Sequence, residues 1–333
     1  MTFEELSNKW FDTEIVGYTY QYTKCLQSAV KHLNSRFKNY NIEEIKSEDI
    51  KRFLTERYAF NPNTGKRGSK KLLSDIVDTG SRIYEFAIDN EYCSKNPFHN
   101  KRNLIPKRAT QKTRMPLSKR QQELVMSVEH RAKTAAIIMM MCGLRLGEVL
   151  ALKWDDIDFK NKKISLTKSA EQISPNQYEI TPHTKNGKDR YVPIPDNIIN
   201  YLKNQCKEAE SYLICPKTDG NLQTPSSYKQ MWNSYQKEIN YQEYKFKQIQ
   251  NNENINSKFS PNGVPKVIDS FTAHQLRHTY CTLLYFSGVD AVTASKLMGH
   301  SSIEITLKIY THLDEQFKQY NISKFNNYLK QNF

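Results

Sequence analysis

The chain is divided near residue 110 by a stretch that cannot form one continuous helix. Residues 99–120 contain eight basic residues, no acidic residue and two prolines, Pro106 and Pro116. Proline lacks the backbone N–H and its ring collides with the preceding helical turn, while a run of like charges favours an exposed segment. In a chain of 333 residues, long enough for two cores, this pattern predicts a basic linker at residues 109–115 between domains at 1–108 and 116–333.

The spacing of apolar residues differs on the two sides of this linker. Before it, apolar positions recur at helical spacing, which predicts a small helical bundle. After it, helical patterns are interrupted by short alternating runs typical of strands. The predicted fold class is therefore mainly α with a small β-sheet, a helical domain followed by a mixed α/β domain. Helices are expected at 20–33, 50–58, 72–88, 118–129, 131–142, 146–153, 196–210, 226–236 and from 273, and strands at 163–167, 178–181 and 191–194.

Two connecting segments carry their own expectations. An Asn-Gly pair within the turn 185–188 favours a tight hairpin that joins the strands at 178–181 and 191–194. The Asn-rich stretch 241–263 has little apolar surface to bury, so we expect a mobile insertion there.

The balance of charge indicates a polyanionic partner. Lys and Arg total 49 against 35 Asp and Glu, a net charge of +14, which favours nucleic acid first and an acidic membrane surface second. The longest apolar run, residues 135–142, falls far short of the roughly 20 residues that span a bilayer. Residues 1–10 also lack the apolar core of a signal peptide. We therefore expect a cytoplasmic protein that binds nucleic acid and no membrane.

The cysteines give no sign of a metal site or of disulfides. Six of them lie far apart with no Cys-x-x-Cys pair, the spacing that zinc knuckles require. Nor does their placement resemble a disulfide framework. No metal is expected.

One basic loop, residues 61–71, is a candidate for contact with phosphates. It contains Lys66, Arg67, Lys70 and Lys71, which could lie along a nucleic-acid backbone. A solvated loop explains the same residues equally well, and the sequence leaves both interpretations open.

Chemistry is concentrated in four separate segments, of which two precede residue 200. In the first, Arg145 lies at a break between two predicted helices, and Glu148 follows at a spacing that can hold its guanidinium. In the second, the turn 185–188 presents Lys185. Taken alone, a capping arginine and a hairpin lysine are ordinary surface features.

The third segment places His274, Arg277 and His278 near one face of a helix. Histidines four apart are also found in metallopeptidase helices, but such a site needs a general-base Glu where this chain has Gln275. Histidine and arginine on one face are instead suited to holding a phosphate and moving a proton beside it.

The fourth segment contains His300 and leads through a short predicted helix to Tyr310. The chain has 20 tyrosines, so Tyr310 acquires meaning only from its context.

Taken together and in this order, the segments resemble the tyrosine recombinase family, also called the phage integrase family. Its signature is an Arg in a GLR-type segment, a hairpin Lys, an H-x-x-R-H segment, a G-H segment and a Tyr shortly afterward. Flanking residues 150–158 and 192–194 agree as well, and the motifs extend over residues 116–312. The six matching positions are Arg145, Lys185, His274, Arg277, His300 and Tyr310.

The resemblance implies a mechanism that needs no metal or cofactor. Tyr310 would attack a DNA phosphate to form a 3′-phosphotyrosyl link and release a 5′-hydroxyl, which conserves the phosphodiester energy for rejoining. Arg145 and Arg277 would neutralise the charge on the non-bridging oxygens by forked hydrogen bonds, and His300 would add a donor.

Proton transfer is assigned by the same resemblance. His274, or the arginine-rich pocket around it, would help Tyr310 lose its proton, and Lys185 would protonate the leaving oxygen. Glu148 and His278 are expected in supporting positions.

Strand exchange between two duplexes implies a homotetramer assembled on double-stranded DNA at a specific recombination site, with accessory DNA-bending or directionality proteins as further partners. Residues 1–108 resemble the family's core-binding domain, and because their helical pattern begins almost at residue 1, no arm-binding domain is expected before them. Residues 313–333 form an apolar tail that either passes to a neighbouring protomer, the interpretation we favour, or packs on its own domain.

Both domains and the linker would clamp the duplex, with most contacts made to phosphates. The basic residues expected to make them are Lys66, Arg67, Lys70, Lys71, Lys101, Arg102, Lys107, Arg108, Lys112 and Arg114.

The biological role has several candidates. Integration and excision of a mobile element is the favoured interpretation, and Xer-type chromosome-dimer resolution is the alternative. A type IB topoisomerase uses similar chemistry but suits this two-domain layout less well. A non-catalytic DNA-binding regulator would be expected to lack some of the six residues.

Overall fold

The computed structural model describes residues 1–62, 64–109, 115–182, 189–258 and 263–316, together with Ile322, Asn326, Leu329 and Lys330. The chain forms two compact units, Met1–Thr113 and Arg114–Phe333. Among these described residues, no helix combines the length and the apolar character needed to cross a membrane.

The amino-terminal unit consists of helices. They are α1 (Phe3–Glu14), α2 (Tyr20–Phe37), α3 (Ser47–Ala59), α4 (Lys70–Asp89) and the single turn α5 (Lys101–Leu104). Three of them begin after a hydroxyl side chain, Thr2, Thr19 or Ser69, which accepts a hydrogen bond from the first helical turn. Such a cap satisfies a backbone N–H that no helical carbonyl reaches.

Aromatic side chains fill the core of this unit. Phe37 meets Phe3 and Phe53 edge-on, with ring centroids 6.4 and 5.4 Å apart, an arrangement that the ring quadrupoles favour. Tyr84 is fully buried, and its hydroxyl donates to the carbonyl of Ile42 at 2.9 Å. The helical character predicted before the linker is confirmed.

The carboxy-terminal unit combines helices with short strands. Its helices are α6 (Lys119–Ser127), α7 (Lys133–Met141), α8 (Leu146–Ala151), α9 (Asp196–Lys207), α10 (Pro225–Asn251), α11 (Ala273–Phe286), α12 (Ala291–Met298) and α13 (Ile303–Gln316). Its strands are β1 (Ile157–Asp158), β2 (Lys163–Leu166), β3 (Ser169–Ser174), β4 (Gln177–Thr181) and β5 (Arg190–Pro193). The predicted fold class, mainly α with a small sheet, is confirmed.

Helix α7 lies at the centre of the core of this unit. Its residues 135–140 are each at most 1% exposed, as expected for a helix that is apolar on every face. The helix is followed by Gly143, whose φ of +71° is rarely adopted by residues with a Cβ. A Cβ there would also overlap the ring of Tyr280, so glycine allows the chain to turn directly into α8.

The strands form two antiparallel sheets, in the orders β1-β2-β5 and β3-β4. The predicted hairpin between 178–181 and 191–194 is therefore wrong, because β4 pairs with β3 and β5 pairs with β2. Ile164 and Val192 are opposite one another and fully buried, whereas β4 has no buried residue. Burial of a shared apolar face thus selects the partner of β5.

Helix α10 is longer than the sequence indicated. The mobile insertion expected at 241–263 is wrong over residues 241–251, which continue the helix. Tyr244 is buried there, and the carboxylate of Glu243 accepts a hydrogen bond from Arg120 Nε at 2.7 Å. This part of the helix is stabilised by a partly buried ion pair within a polar stretch, so the sequence there lacks the apolar periodicity that indicates a helix.

Candidate active site

Arg145 lies where α8 begins, and hydrogen bonds fix both its backbone and its side chain. Its backbone N–H donates to Glu148 Oε2 at 2.8 Å and its Nη1 donates to Glu148 Oε1 at 2.8 Å. Its Nη2 donates to the carbonyl of Gly299. The guanidinium is thereby held between α8 and the chain segment that follows α12.

Glu148 is a buried carboxylate shared by two arginines. It is 1% exposed, and Arg190 donates to it through Nη1 at 2.9 Å and Nη2 at 2.8 Å. Burial alone would raise the pKa of Glu148, but hydrogen bonds and charge from Arg190, and then from Arg145, lower it below its usual value. Glu148 is therefore ionised at neutral pH and partly neutralises both arginines.

Arg277 is buried on α11, with 4% of its surface exposed. Its Nη1 donates to the carbonyl of Gly143 at 2.6 Å and its Nη2 donates to that of Met298. Burial, and next the positive charge of Arg145, lower the pKa of this guanidinium to about 9. It still carries its charge at pH 7, and a bound anion would relieve that unfavourable environment.

A cavity of about 880 Å³ brings four predicted site residues together: Arg145, His274, Arg277 and His300. Trp232 and Phe271 line it as well. Arginines and histidines from three separate segments thus face one space, which is large enough to accept a phosphate group. The arrangement suits charge neutralisation and proton transfer at an anionic centre.

His300 follows Gly299 at the end of α12 and is half-buried. Its Nδ1 lies 2.8 Å from the hydroxyl of Thr306, which is fully buried. Burial, followed by the charges of Arg277 and Arg145, lowers the pKa of His300 to about 4. The imidazole is therefore neutral at pH 7, with one N–H donor.

Tyr310 lies on α13, packed in a small cluster with Tyr280, Cys281, Ala294 and Met298. Its hydroxyl donates to the carbonyl of Val289 at 3.0 Å, and burial raises the pKa of its phenol. The described residues that line the cavity do not include Tyr310. This structure therefore does not bring the hydroxyl of Tyr310 to the arginines.

The other expected residues are placed as follows. Lys185 lies outside the described residues, which resume a little before β5. His278 is partly buried on α11, beside Arg277, and does not line the cavity.

The basic candidates for DNA contact are only partly described. Lys66, Arg67, Lys70, Lys71, Lys107 and Arg108 are exposed. The side chains of Lys101 and Arg102 lie outside the described part of the chain, as do Lys112 and Arg114. Exposure suits a phosphate contact and a solvated loop alike, so it does not choose between them.

Arg190 is the site residue that the sequence interpretation missed. It occurs at the start of β5, in a segment singled out only for Lys185. Its role depends on the pair that Arg190 forms with the buried Glu148. These residues are 42 positions apart, and no local spacing in the sequence connects them.

Residues 117–316, more than half of the chain, match the model of the phage integrase family. The chain belongs to the phage integrase family. As a tyrosine recombinase it is an enzyme that cleaves and rejoins DNA at specific sites, and the family and activity predicted from its motifs are confirmed.

Individual relatives agree with this assignment. A XerC-like tyrosine recombinase of Caldanaerobacter subterraneus is 29% identical over 312 residues, covering 85% of this chain and 72% of the relative. The ICEBs1 integrase of Bacillus subtilis is 27% identical over 285 residues, covering 85% and 71%. The Tn1549 transposon integrase, solved with transposon right end DNA, shares the fold with a TM-score of 0.74 at 21% identity, covering 98% of this chain and 100% of that one.

The low pKa of His300 predicts a pH dependence of stability. Unfolded histidine binds a proton below about pH 6.5, whereas folded His300 does so only near pH 4. The unfolded state therefore holds more protons between these values, and the free energy of unfolding falls as pH is lowered through this window. We expect a smaller acid-dependent drop in Tm for His300→Gln than for the unmodified chain, measured by calorimetry.

The exposed His99 provides the matched control. His99→Gln should keep the original dependence of Tm on pH. A His300→Gln variant with that same dependence would show that His300 is not held neutral.

Proposed function

We propose that Tyr310 is the nucleophile of this recombinase and that Arg145, Arg277, His274 and His300 form its phosphate site. The observation that carries the proposal is the single cavity lined by both arginines and both histidines. A phosphodiester resists attack because it is anionic, and preorganised cations beside it lower the cost of the charge that develops.

The two arginines retain donors for this task. A guanidinium has five N–H groups, and the hydrogen bonds described above use two in Arg145 and two in Arg277. These bonds fix the planes of both groups before substrate arrives. Fixed donors need little reorganisation when charge develops on the non-bridging oxygens, which is the basis of their catalytic effect.

His300 supplies a neutral donor under this proposal. The hydroxyl of Thr306 lies 2.8 Å from Nδ1 of His300, and in this proposal it donates to Nδ1, which leaves the single ring proton on Nε2. Nε2 then donates to a phosphate oxygen. His274 is exposed at the cavity and receives the phenolic proton, and Lys185 protonates the leaving 5′ oxygen.

Cleavage requires Tyr310 to leave its present hydrogen bond. The phenol donates to Val289 and is half-enclosed by Tyr285, whose ring centroid lies 5.1 Å away. Movement of α13 would carry the hydroxyl into the cavity. Its amino-terminal connection, residues 299–302, is short, and Arg145 holds the carbonyl of Gly299, so the change of direction falls on the residues between Gly299 and α13.

We further propose that the enzyme integrates and excises a mobile element, as the names of the similar ICEBs1 and Tn1549 integrases suggest. Exchange between two duplexes needs four strand cleavages, and one tyrosine in each protomer then requires four protomers. The tetramer assembles on double-stranded DNA, with residues 313–333 of each protomer docking on a neighbour and with accessory DNA-bending or directionality proteins. The similar XerC-like recombinase favours chromosome-dimer resolution as the second candidate.

Domain roles follow from the same proposal. Residues 1–108 form the core-binding domain, 109–115 the linker and 116–333 the catalytic domain. The exposed basic side chains of the amino-terminal unit contact phosphates, so binding weakens as salt rises. The site of action is the cytoplasm.

The nucleophile is tested with a suicide DNA substrate, nicked so that the short 5′-hydroxyl fragment diffuses away after cleavage. The unmodified chain should form a covalent adduct that survives denaturing electrophoresis. Tyr310→Phe should bind the same DNA but form no adduct. Tyr285→Phe, which alters the neighbouring ring in the same cluster, serves as control and should still react. An adduct that persists in Tyr310→Phe would assign the nucleophile elsewhere.

The biological role is tested by an exchange assay. We place the two ends of the mobile element, which flank the gene, on a plasmid, and expect the DNA between them to be excised as a circle. A chromosomal dimer-resolution site should not recombine. Recombination at the dimer-resolution site alone would favour the Xer-type role.

The DNA contact of the 61–71 loop is tested through salt dependence. Each phosphate contact contributes about 0.9 to the slope of log K against log salt concentration. Replacing Lys66 and Arg67 by Gln should therefore reduce the slope by about 1.8. The control pair, Lys203→Gln with Lys207→Gln on exposed positions of α9, should leave the slope unchanged. Equal slopes for the two pairs would show that the loop is an ordinary solvated segment without phosphate contacts.

A further inference from the structure

Three consecutive carbonyls at the end of α12 each accept a hydrogen bond from a different arginine. Leu297 accepts from Arg190 Nε at 3.3 Å, Met298 accepts from Arg277 and Gly299 accepts from Arg145. The last carbonyls of a helix have no partner within it and carry partial negative charge. Arginines satisfy them here, and two of these arginines line the cavity.

Arg190 differs from the other two because it does not line the cavity. Its side chain is 11% exposed, and both its η nitrogens are bound by Glu148. Glu148 Oε1 also accepts from Arg145 Nη1, and Oε2 from the backbone N–H of Arg145. The four acceptor positions of the carboxylate are therefore filled, and the two arginines are held by one rigid group.

The guanidinium of Arg190 also lies against the backbone that leads to His300. A Cβ at Gly299 would lie 2.9 Å from its Cζ, Nε and Nη1 atoms, closer than such contacts allow. Glycine at position 299 therefore suits both the positive φ and the position of the Arg190 guanidinium, which any Cβ would displace. Arg190 contacts this segment at Leu297 and Gly299, on either side of the carbonyl held by Arg277.

We propose that Arg190 is a positioning residue for DNA cleavage. Through Glu148 it orients the guanidinium of Arg145, and through Leu297 and Gly299 it fixes the backbone that presents His300. This inference rests on the phosphate site proposed above. Arg190 itself does not touch the phosphate.

Electrostatics support this role. The charge of Arg190 contributes, after burial, Arg277 and Arg145, to the lowered pKa of His300. Loss of the charge at position 190 should therefore shift the titration of His300 to higher pH. A purely structural ion pair, distant from the site, would leave that titration unchanged.

Two substitutions separate geometry from charge. Arg190→Lys keeps the charge but cannot bind both oxygens of Glu148 and the carbonyl of Leu297 together, because an ammonium is a point donor and not a planar fork. Arg190→Gln removes the charge as well. Arg120→Gln is the matched control, since Arg120 also binds a buried carboxylate, that of Glu243 at 2.7 Å, in the same unit and does not line the cavity.

The full chain is compared on the suicide substrate under single-turnover conditions, with DNA affinity measured separately. We expect adduct formation to slow by about 10-fold in Arg190→Lys and about 100-fold in Arg190→Gln, the size of effect that misplacement of catalytic groups produces. DNA affinity should change by less than about twofold, because phosphate contacts elsewhere dominate it. Arg120→Gln should cleave at the original rate.

The second measurement is the titration of His300 by NMR, in protein that contains isotopically labelled histidine. The His300 resonance should titrate at higher pH in Arg190→Gln and stay near its original position in Arg190→Lys and Arg120→Gln. If Arg190→Gln does not fold, Arg190→Lys still decides the proposal through its rate.

Each result has one interpretation. Wild-type cleavage rates in the Arg190 variants, or losses of rate matched by equal losses in Arg120→Gln, would overturn the positioning role, as would an unmoved His300 titration in Arg190→Gln. Failure of the unmodified chain to form an adduct would instead contradict the proposed nucleophilic site.

Discussion

The site depends on the hydrogen bonds that the buried carboxylate of Glu148 accepts from two arginines. An isolated carboxylate in an apolar core is costly, and it remains ionised only when cations and hydrogen bonds replace its lost water. Arg145 and Arg190 supply them here. In return, Glu148 connects the start of α8 to the start of β5, and both arginines extend that connection to the end of α12. One shared anion thereby fixes three elements that are distant in sequence.

Much of the site could be predicted from the sequence because its residues occur in short local patterns. Arg145 precedes α8, His274 and Arg277 share a face of α11, and His300 follows α12; the structure places all four around one cavity. Arg190 could not be predicted in this way. Its importance arises from contacts with Glu148 and Leu297, at separations of 42 and 107 residues, and only tertiary packing creates them.

The same distinction applies to the fold. Helix α7 was predictable because its residues are apolar on every face, which admits only a buried helix. The sheets were predictable only in part. Strands β2, β4 and β5 were expected near their observed positions, whereas β3 is largely polar and does not show the alternation that indicates a half-buried strand. Strand β2 pairs with β5 because Ile164 and Val192 face the same core. The spacing of residues within either strand does not reveal this shared core. The end of α10 was missed for a similar reason, since Arg120 stabilises it from another helix.

The two ends of α12 make separate contacts. This conformation therefore has an ordered phosphate site that lacks its nucleophile, Tyr310. At the amino end, Tyr310 donates to the carbonyl of Val289; at the carboxyl end, Arg277 and Arg145 hold Met298 and Gly299. Helix α12 itself has eight residues, which at about 1.5 Å per residue separate its two ends by roughly 12 Å. In-line attack requires a separation of about 3 to 3.5 Å. The arginines can therefore be ordered while the nucleophile is held away. Helix α13 also carries Thr306, whose hydroxyl lies 2.8 Å from Nδ1 of His300, so the movement that brings Tyr310 to the arginines also repositions the contact that holds His300.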